Sequence, residues 1–84
     1  MKTIPIALAS IDQVKTFVND IIAFPYDMDV ISQRYVVDAK SIMGLFSLDL
    51  SKPFGLVVHA AEDADLSDLM DALEPYLADD PDVD

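Results

Sequence analysis

The sequence predicts a two-layer α+β sandwich whose sheet has one bare face. Strand-like and helix-like segments alternate in the order βαββαβα, which suits helices packed on a sheet. The 84 residues leave room for one small domain, expected over 1–78. Four strands and three helices cover only one sheet face, and the small outward residues Thr3, Ala7 and Ala9 fit a face without a second layer.

The first strand is predicted from alternation. In residues 2–8 the apolar side chains Ile4, Ile6 and Leu8 fall on one side, as in a strand with one buried face. Pro5 has no amide hydrogen to donate, so this strand is expected at an edge of the sheet, or in a register that does not use that amide.

The first helix is predicted over 11–23. Ser10 and Gln13 match a capping box, in which a hydroxyl and a side-chain amide bond reciprocally at the helix start. Helical spacing then holds as far as the break at Pro25 for the apolar stripe Ile11, Val14, Val18, Ile21 and Ile22, with Phe17 beside it.

Two short strands and a short helix come next. The strands are predicted over 28–31 and 35–37, around a polar turn at 32–34, and the helix over 41–48. This helix has more apolar residues than one buried stripe can hold: Ile42, Met43, Leu45, Phe46 and Leu48. Some of them are therefore expected on the surface, where an exposed apolar cluster often marks a docking site.

The last strand is predicted over 54–60, and the last helix begins near Asp65. Five apolar residues keep helical spacing: Leu66, Leu69, Met70, Leu73 and Leu77. Pro75 cannot donate a helical hydrogen bond, so it is expected to kink or end this helix.

The net charge of −11 is concentrated at the C-terminal end. Residues 1–60 carry six acids and five bases, whereas residues 61–84 carry ten acids and no base. This acidity argues against electrostatic binding to nucleic acid or to an anionic membrane. Residues 79–84 are expected to form a disordered acidic tail. A calcium site there would lack the spaced ligands, the turn glycine and the closing glutamate of an EF-hand loop.

The chain has no cysteine, which excludes a disulfide framework and a thiolate zinc site. The N-terminus has a lone Lys2 and a short apolar run, unlike a signal peptide. No apolar run is long enough to cross a bilayer. A cytoplasmic protein is expected, without membrane insertion, metal or cofactor.

One segment points to a family. The string Lys40-Ser-Ile-Met-Gly44, followed by Leu-Phe-Ser-Leu48 and Lys52, resembles the regulatory-serine region of HPr, the histidine-containing phosphocarrier of the bacterial sugar phosphotransferase system. Upstream, Tyr26-Asp-Met-Asp-Val30 resembles the start of that family's second strand. The resemblance covers residues 1–77. It implies an open-faced sandwich, with three helices on a four-stranded antiparallel sheet of order 1-4-2-3.

The phosphocarrier histidine of that family is absent. The family has Gly-Ile-His-Ala-Arg-Pro at the start of its first helix, and the same place here reads Ser10-Ile-Asp-Gln-Val-Lys15. Asp12 therefore stands at the histidine position. Lys15, one residue after the place of the arginine, is expected to take the arginine position as the nearest basic residue. The remaining histidine, His59, lies on the last predicted strand and is expected on the open face. The comparison implies a non-enzymatic protein without phosphocarrier activity.

Two interpretations of Asp12 stay open. An aspartate can form an acyl phosphate, with Lys15 in place of the family's arginine. Alternatively, an acid in the first helical turn only complements the helix dipole, which is worth roughly 0.3–1 kcal/mol.

Ser41 matches the family's second phosphorylation site. In low-GC Gram-positive relatives a dedicated kinase modifies this serine, and the product binds a transcriptional repressor. The resemblance therefore implies an HPr-type serine kinase or a transcriptional regulator as partner. A phosphate there would add about −1.5 to −2 charge at a helix N-terminus, next to Lys40. Ser41 could also simply cap the helix, worth roughly 1 kcal/mol, and the two roles are compatible.

The resemblance also implies a docking face. Ile42, Met43 and Phe46 align with the apolar patch that HPr proteins use to bind partners, and Lys40 precedes them; ordinary adaptable packing is the alternative for the methionine. Three hypotheses follow. The chain is a regulatory, partner-binding HPr homologue, a phosphotransfer component that uses Asp12, or a structural module that forms a homodimer through its open sheet or an edge strand.

Overall fold

The computed structural model describes residues 2–78, and it contains the predicted elements in the predicted order. They are β1 (Lys2–Ile6), α1 (Ile11–Ile21), β2 (Asp27–Ser32), β3 (Tyr35–Asp38), α2 (Ile42–Phe46), β4 (Phe54–His59) and α3 (Ser67–Leu73), followed by a 3-10 turn (Glu74–Tyr76). The predicted ends differ from these bounds by no more than two residues, except at the end of the last helix, whose predicted stripe runs to Leu77. The predicted acidic tail at 79–84 lies outside the described residues.

The four strands form one antiparallel sheet in the order β1-β4-β2-β3. This order and the open sheet with three helices confirm the predicted α+β open-faced sandwich. Register fixes which residues share a face. One row across the helix-covered face consists of Ile4, Leu56, Val30 and Val37, and the neighbouring row on the open face consists of Pro5, Gly55, Ile31 and Val36.

The core lies between the sheet and the helices, and Phe17 of α1 is at its centre. The ring of Phe17 makes edge-to-face contacts with Phe54, at a centroid distance of 6.3 Å, and with Tyr76, at 5.4 Å. Aromatic pairs of this geometry stabilise a core beyond the area that they bury. Around them pack the other large buried side chains: Ile6, Val14, Ile21, Met28, Val30, Leu45, Leu56, Val58, Leu69 and Leu73.

The helices are short, and none of those in residues 2–78 is long and apolar enough to cross a membrane. α1 has 11 residues, α3 has 7 and α2 has 5. α3 ends at Leu73, and Pro75 lies in the 3-10 turn, which confirms that the proline ends the helix. The turn changes the predicted stripe, because Tyr76 is buried while Leu77 is exposed.

The β2–β3 hairpin is closed by the pair Ser32 and Tyr35, with Gln33 and Arg34 as the two turn residues. Gln33 has a φ of 56°, in the left-handed region. The favoured two-residue hairpin turns have a positive φ at their first position, because the twist of these turns matches that of the flanking strands. The turn therefore holds the hairpin in register at the cost of an unfavourable backbone conformation.

Candidate functional site

Ser41 is the N-cap of α2, as predicted from its place before the apolar run. Its backbone is extended, with φ −103° and ψ 108°, and its Oγ accepts a hydrogen bond of 3.1 Å from the amide of Gly44. A Cβ at position 44 would lie 3.3 Å from that Oγ and 3.4 Å from Cβ of Val37. The glycine thus leaves the hydroxyl uncrowded where α2 passes over β3.

The end of β3 holds Ser41 in place. The amide of Ser41 donates to the carbonyl of Asp38 at 3.0 Å, and the amide of Lys40 donates to the Asp38 carboxylate at 2.9 Å. The amide of Ala39 in turn donates to the carbonyl of Met28 on β2, also at 3.0 Å. The loop from β3 into α2 is therefore bonded to the sheet at successive residues, which gives the cap serine a defined position.

α2 presents apolar side chains to the surface. Leu45 is buried, while Met43 is 78% exposed and Phe46 is 39% exposed. Because residues three apart lie on the same side of a helix, Met43 and Phe46 are neighbours on the outer side. Ile42 is half-buried and packs against the core. The prediction that some apolar residues of this helix are exposed is confirmed.

Ile42 also borders a shallow groove of about 540 Å³ along α1. On the α1 side the groove is lined by residues that include Lys15, Val18 and Ile22. Ile22 is 59% exposed, and the sequence had placed it in the buried stripe of α1. Ile22 is the C-cap residue of α1 and follows the last helical residue, Ile21, which is buried.

Lys40 sits directly before Ser41, but its side chain is engaged elsewhere. Its Nζ donates a hydrogen bond of 2.8 Å to the carbonyl of Phe24. Lys40 also lines a polar cavity of about 380 Å³, together with Asp27, Asp38 and His59. The Lys40 side chain therefore lies at the polar cavity on the open face of the sheet, although its backbone is next to Ser41.

The start of α1 carries the predicted capping box. Ser10 Oγ accepts from the amide of Gln13 at 3.1 Å, and Oε1 of Gln13 accepts from the amide of Ala9 at 2.6 Å. Asp12 lies exposed in the first turn of this helix, where an acid complements the helix dipole. Lys15 is exposed one turn later, and no ion pair within residues 2–78 joins it to Asp12.

The loop after α2 lies against the segment that precedes α1. Ser51 and Lys52 border a cavity with Ala7 and Leu8. Within the loop, the hydroxyl and the amide of Ser51 both donate to the carboxylate of Asp49, and these hydrogen bonds lower the pKa of Asp49. Lys52 is thus placed beside the approach to α1, although it follows the Ser41 string in sequence.

His59 lies on the open face, as predicted. Its Nε2 is 2.8 Å from Oδ2 of Asp29, and the two side chains are each exposed by more than a third. No cluster of three potential metal-ligating side chains occurs among residues 2–78.

The arrangement on the helix side is chemically simple. It has a serine hydroxyl at the start of α2, exposed apolar side chains beside it, and a groove toward α1. Phosphorylation in proteins takes place on hydroxyls such as that of serine, and large exposed apolar patches mark interaction sites in many proteins. No protein-family model matches the chain, and no curated protein matches it in sequence.

Proposed function

We propose that the chain is an HPr-type regulatory module that binds a protein partner through α2 and does not carry phosphate from phosphoenolpyruvate. The docking face consists of Ile42, Met43 and Phe46, with Lys40 at its margin. Ser41 is the switch, modified by an HPr-type serine kinase. The exposure of Met43, two residues after a serine N-cap, is the observation that carries this proposal.

The apolar face supports the binding role. α2 has five residues and buries only Leu45, so burial alone does not explain why Met43 and Phe46 are apolar. Interfaces are enriched in methionine and aromatic residues relative to the rest of the surface. Ile22 extends the same surface across the groove to α1.

The local bonding of Ser41 supports the switch. Its Oγ accepts one hydrogen bond, from the Gly44 amide, and the loop before it is held by Asp38. A phosphate on that Oγ would place about −1.5 to −2 charge at the margin of an apolar face. A partner that reads the modified face would therefore need a basic side chain next to an apolar pocket.

Phosphorylation by an HPr-type serine kinase and ATP tests the switch. We expect intact-mass spectrometry to find one added phosphate on the wild-type chain and none on Ser41→Ala. Ser10→Ala is the matched control, since it removes the other cap serine with the same 3.1 Å bond, and it should still gain the phosphate. A wild-type chain that stays unmodified, or a Ser41→Ala chain that is still modified, would contradict the switch.

Incubation with phosphoenolpyruvate and the general enzyme of the phosphotransferase system tests the competing hypothesis. We expect no label on the chain, because position 12 holds an aspartate instead of an imidazole. A label that disappears in Asp12→Asn would establish phosphotransfer through Asp12 and overturn the proposal.

Binding to the same kinase tests the docking face. Phe46→Gln should weaken binding about tenfold, since a buried aromatic anchor contributes more than 1.4 kcal/mol at an interface. Leu77→Gln is the matched control. Leu77 is 40% exposed, nearly the same fraction as Phe46, but it lies beside β1 and not on α2. Equal losses in the two variants would exclude α2 as the docking face.

A further inference from the structure

The two edge strands of the sheet differ in whether another segment of the chain is hydrogen-bonded to their outer side. β1 is one edge, and the chain after the 3-10 turn lies along it. The amide of Ala7 donates to the carbonyl of Tyr76 at 2.8 Å, and the amide of Ala78 donates to the carbonyl of Pro5 at 3.0 Å. Pro5 itself has no amide to offer a further strand. The β1 edge is thus protected against pairing with another chain.

β3 is the other edge, and no segment of residues 2–78 pairs with its outer side. Tyr35 is 65% exposed and Val36 is 62% exposed. Neither residue is charged, and β3 has none of the lysine or proline residues with which natural edge strands prevent pairing.

The hydrogen-bond pattern shows which backbone groups of β3 are available. The amide of Ala39 donates to Met28 on β2, and strand residues alternate in the direction of their amide and carbonyl groups. Tyr35 and Val37 therefore turn these groups toward β2, while Val36 turns them away from the sheet. Val36 is the centre of the free edge.

The edge is complementary to itself. The segment from 34 to 38 reads Arg-Tyr-Val-Val-Asp, so an antiparallel pair centred on Val36 sets Arg34 of each copy opposite Asp38 of the other. Opposite charges in such directly opposed positions favour pairing. Asp38 turns its backbone amide and carbonyl outward together with Val36, and its carbonyl already accepts one hydrogen bond from the amide of Ser41. Arg34 lies in the hairpin turn, so its part in this register rests on its charge.

The side chains agree with the same register. On the open face, the apolar row that ends at Val36 would continue into the row of the second copy. On the helix side, Tyr35 of each copy would lie opposite Val37 of the other, a pair of an aromatic and a β-branched residue of the kind that stabilises sheets.

We propose that β3 pairs antiparallel with β3 of a second copy of this chain, centred on Val36, and forms a symmetric dimer with one eight-stranded sheet. The contact is isologous, so it closes on two copies. It goes beyond the proposed function, because it uses neither Ser41 nor the apolar side chains of α2.

The acidity of the chain does not oppose this contact locally. Residues 34–38 carry one positive and one negative charge.

Two charge variants and their mixture test the register. Arg34→Asp and Asp38→Arg each convert both opposed pairs to like charges, so each alone should dimerise about tenfold more weakly than wild type in sedimentation equilibrium at up to about 1 mM. An equimolar mixture of the two variants restores opposite charges at both pairs. It should associate within about threefold of wild type.

Val36→Pro tests the backbone contact independently. The Val36 amide points away from β2, so proline removes an outward donor and spares the hairpin bonds. We expect a folded monomer by circular dichroism and sedimentation. A wild-type chain that is monomeric throughout the range, a mixture that associates no better than its parts, or a Val36→Pro chain that dimerises like wild type would each overturn the proposal. None of these results depends on whether Ser41 is phosphorylated.

Discussion

α1 and α2 begin with the same type of cap but differ in length and in how many of their apolar residues are buried. In both, a serine Oγ accepts a 3.1 Å hydrogen bond from the amide three residues on. α1 continues for 11 residues and buries a full apolar face against the sheet, whereas α2 stops after 5 residues and buries one. A cap therefore specifies where a helix starts but says nothing about what the helix does with its apolar residues.

The difference lies in what each helix packs against. α1 contacts the core through Phe17 and is tied to the 3-10 turn through Asp20, whose carboxylate accepts a hydrogen bond of 2.7 Å from the hydroxyl of Tyr76. α2 is attached through its cap, through the loop after β3, and through the side chains of Leu45 and half-buried Ile42. α1 is therefore part of the core, whereas α2 is a short helix whose outer side is exposed.

Replacing one phenylalanine in each helix should give the largest contrast. Phe17→Ala should lower the free energy of unfolding by about 3–5 kcal/mol, since it removes a fully buried ring and leaves a cavity. Phe46→Ala should lower it by about 1–2 kcal/mol, because the residue is 39% exposed and buries only part of its ring. Urea unfolding followed by circular dichroism measures both. Similar losses would mean that α2 is part of the core. If Phe17→Ala does not fold, the free energy of unfolding of Phe17→Leu is measured in its place.

Removing the bond between α1 and the 3-10 turn should have an intermediate effect. Tyr76→Phe should lower the free energy of unfolding at neutral pH by roughly 1.5 kcal/mol, because a hydroxyl bonded to a carboxylate is lost while the ring stays packed.

The same bond gives stability a dependence on alkaline pH. Burial, with the carboxylate of Asp20 beside it, raises the pKa of Tyr76 above its ordinary 10.0. Between pH 10 and the raised pKa the unfolded chain has already lost the phenol proton and the folded chain has not, so stability falls as pH rises through this window and is unaffected below it. Unfolding measured from about pH 8 to pH 11 should show a shallower decline for Tyr76→Phe than for wild type. Parallel declines would contradict this role of Tyr76.

The sequence was informative wherever one local rule decided the structure. Alternation placed Ile4 and Ile6 inside, and the capping box of Ser10 and Gln13 formed as predicted. Pro75 ended α3 because a proline interrupts helical hydrogen bonding in any context. The sheet order was implied only by the resemblance, since β1 pairs with β4 across more than half of the chain.

Local rules were not sufficient where a side chain depends on a distant neighbour. Lys40 was predicted to lie next to a phosphate on Ser41, and the ammonium group bonds the carbonyl of Phe24, 16 residues away. A long flexible side chain can reach many acceptors, so sequence spacing does not select one. Ile22 was counted with the buried stripe, and it is exposed because α1 ends at Ile21. Whether Ser41 is modified depends on a kinase and stays a prediction.

Replacing each of the two cap serines by alanine should give the smallest difference between the two helices. Ser10→Ala and Ser41→Ala should each lower the free energy of unfolding by about 1 kcal/mol, since each leaves one helix amide without its acceptor. If the two losses are equal, a difference in phosphorylation between these variants cannot come from stability.

Ser41→Asp separates the cap from the switch. Aspartate caps a helix as well as serine does, so this variant should keep wild-type stability in urea while gaining no phosphate from the serine kinase. A Ser41→Asp chain as unstable as Ser41→Ala would mean that the hydroxyl fits a space that a carboxylate cannot share, next to the 3.3 Å approach at Gly44. In that case Ser41 could not carry a phosphate, which is larger still, without moving α2, and the start of α2 would resemble the start of α1 in function as well as in geometry.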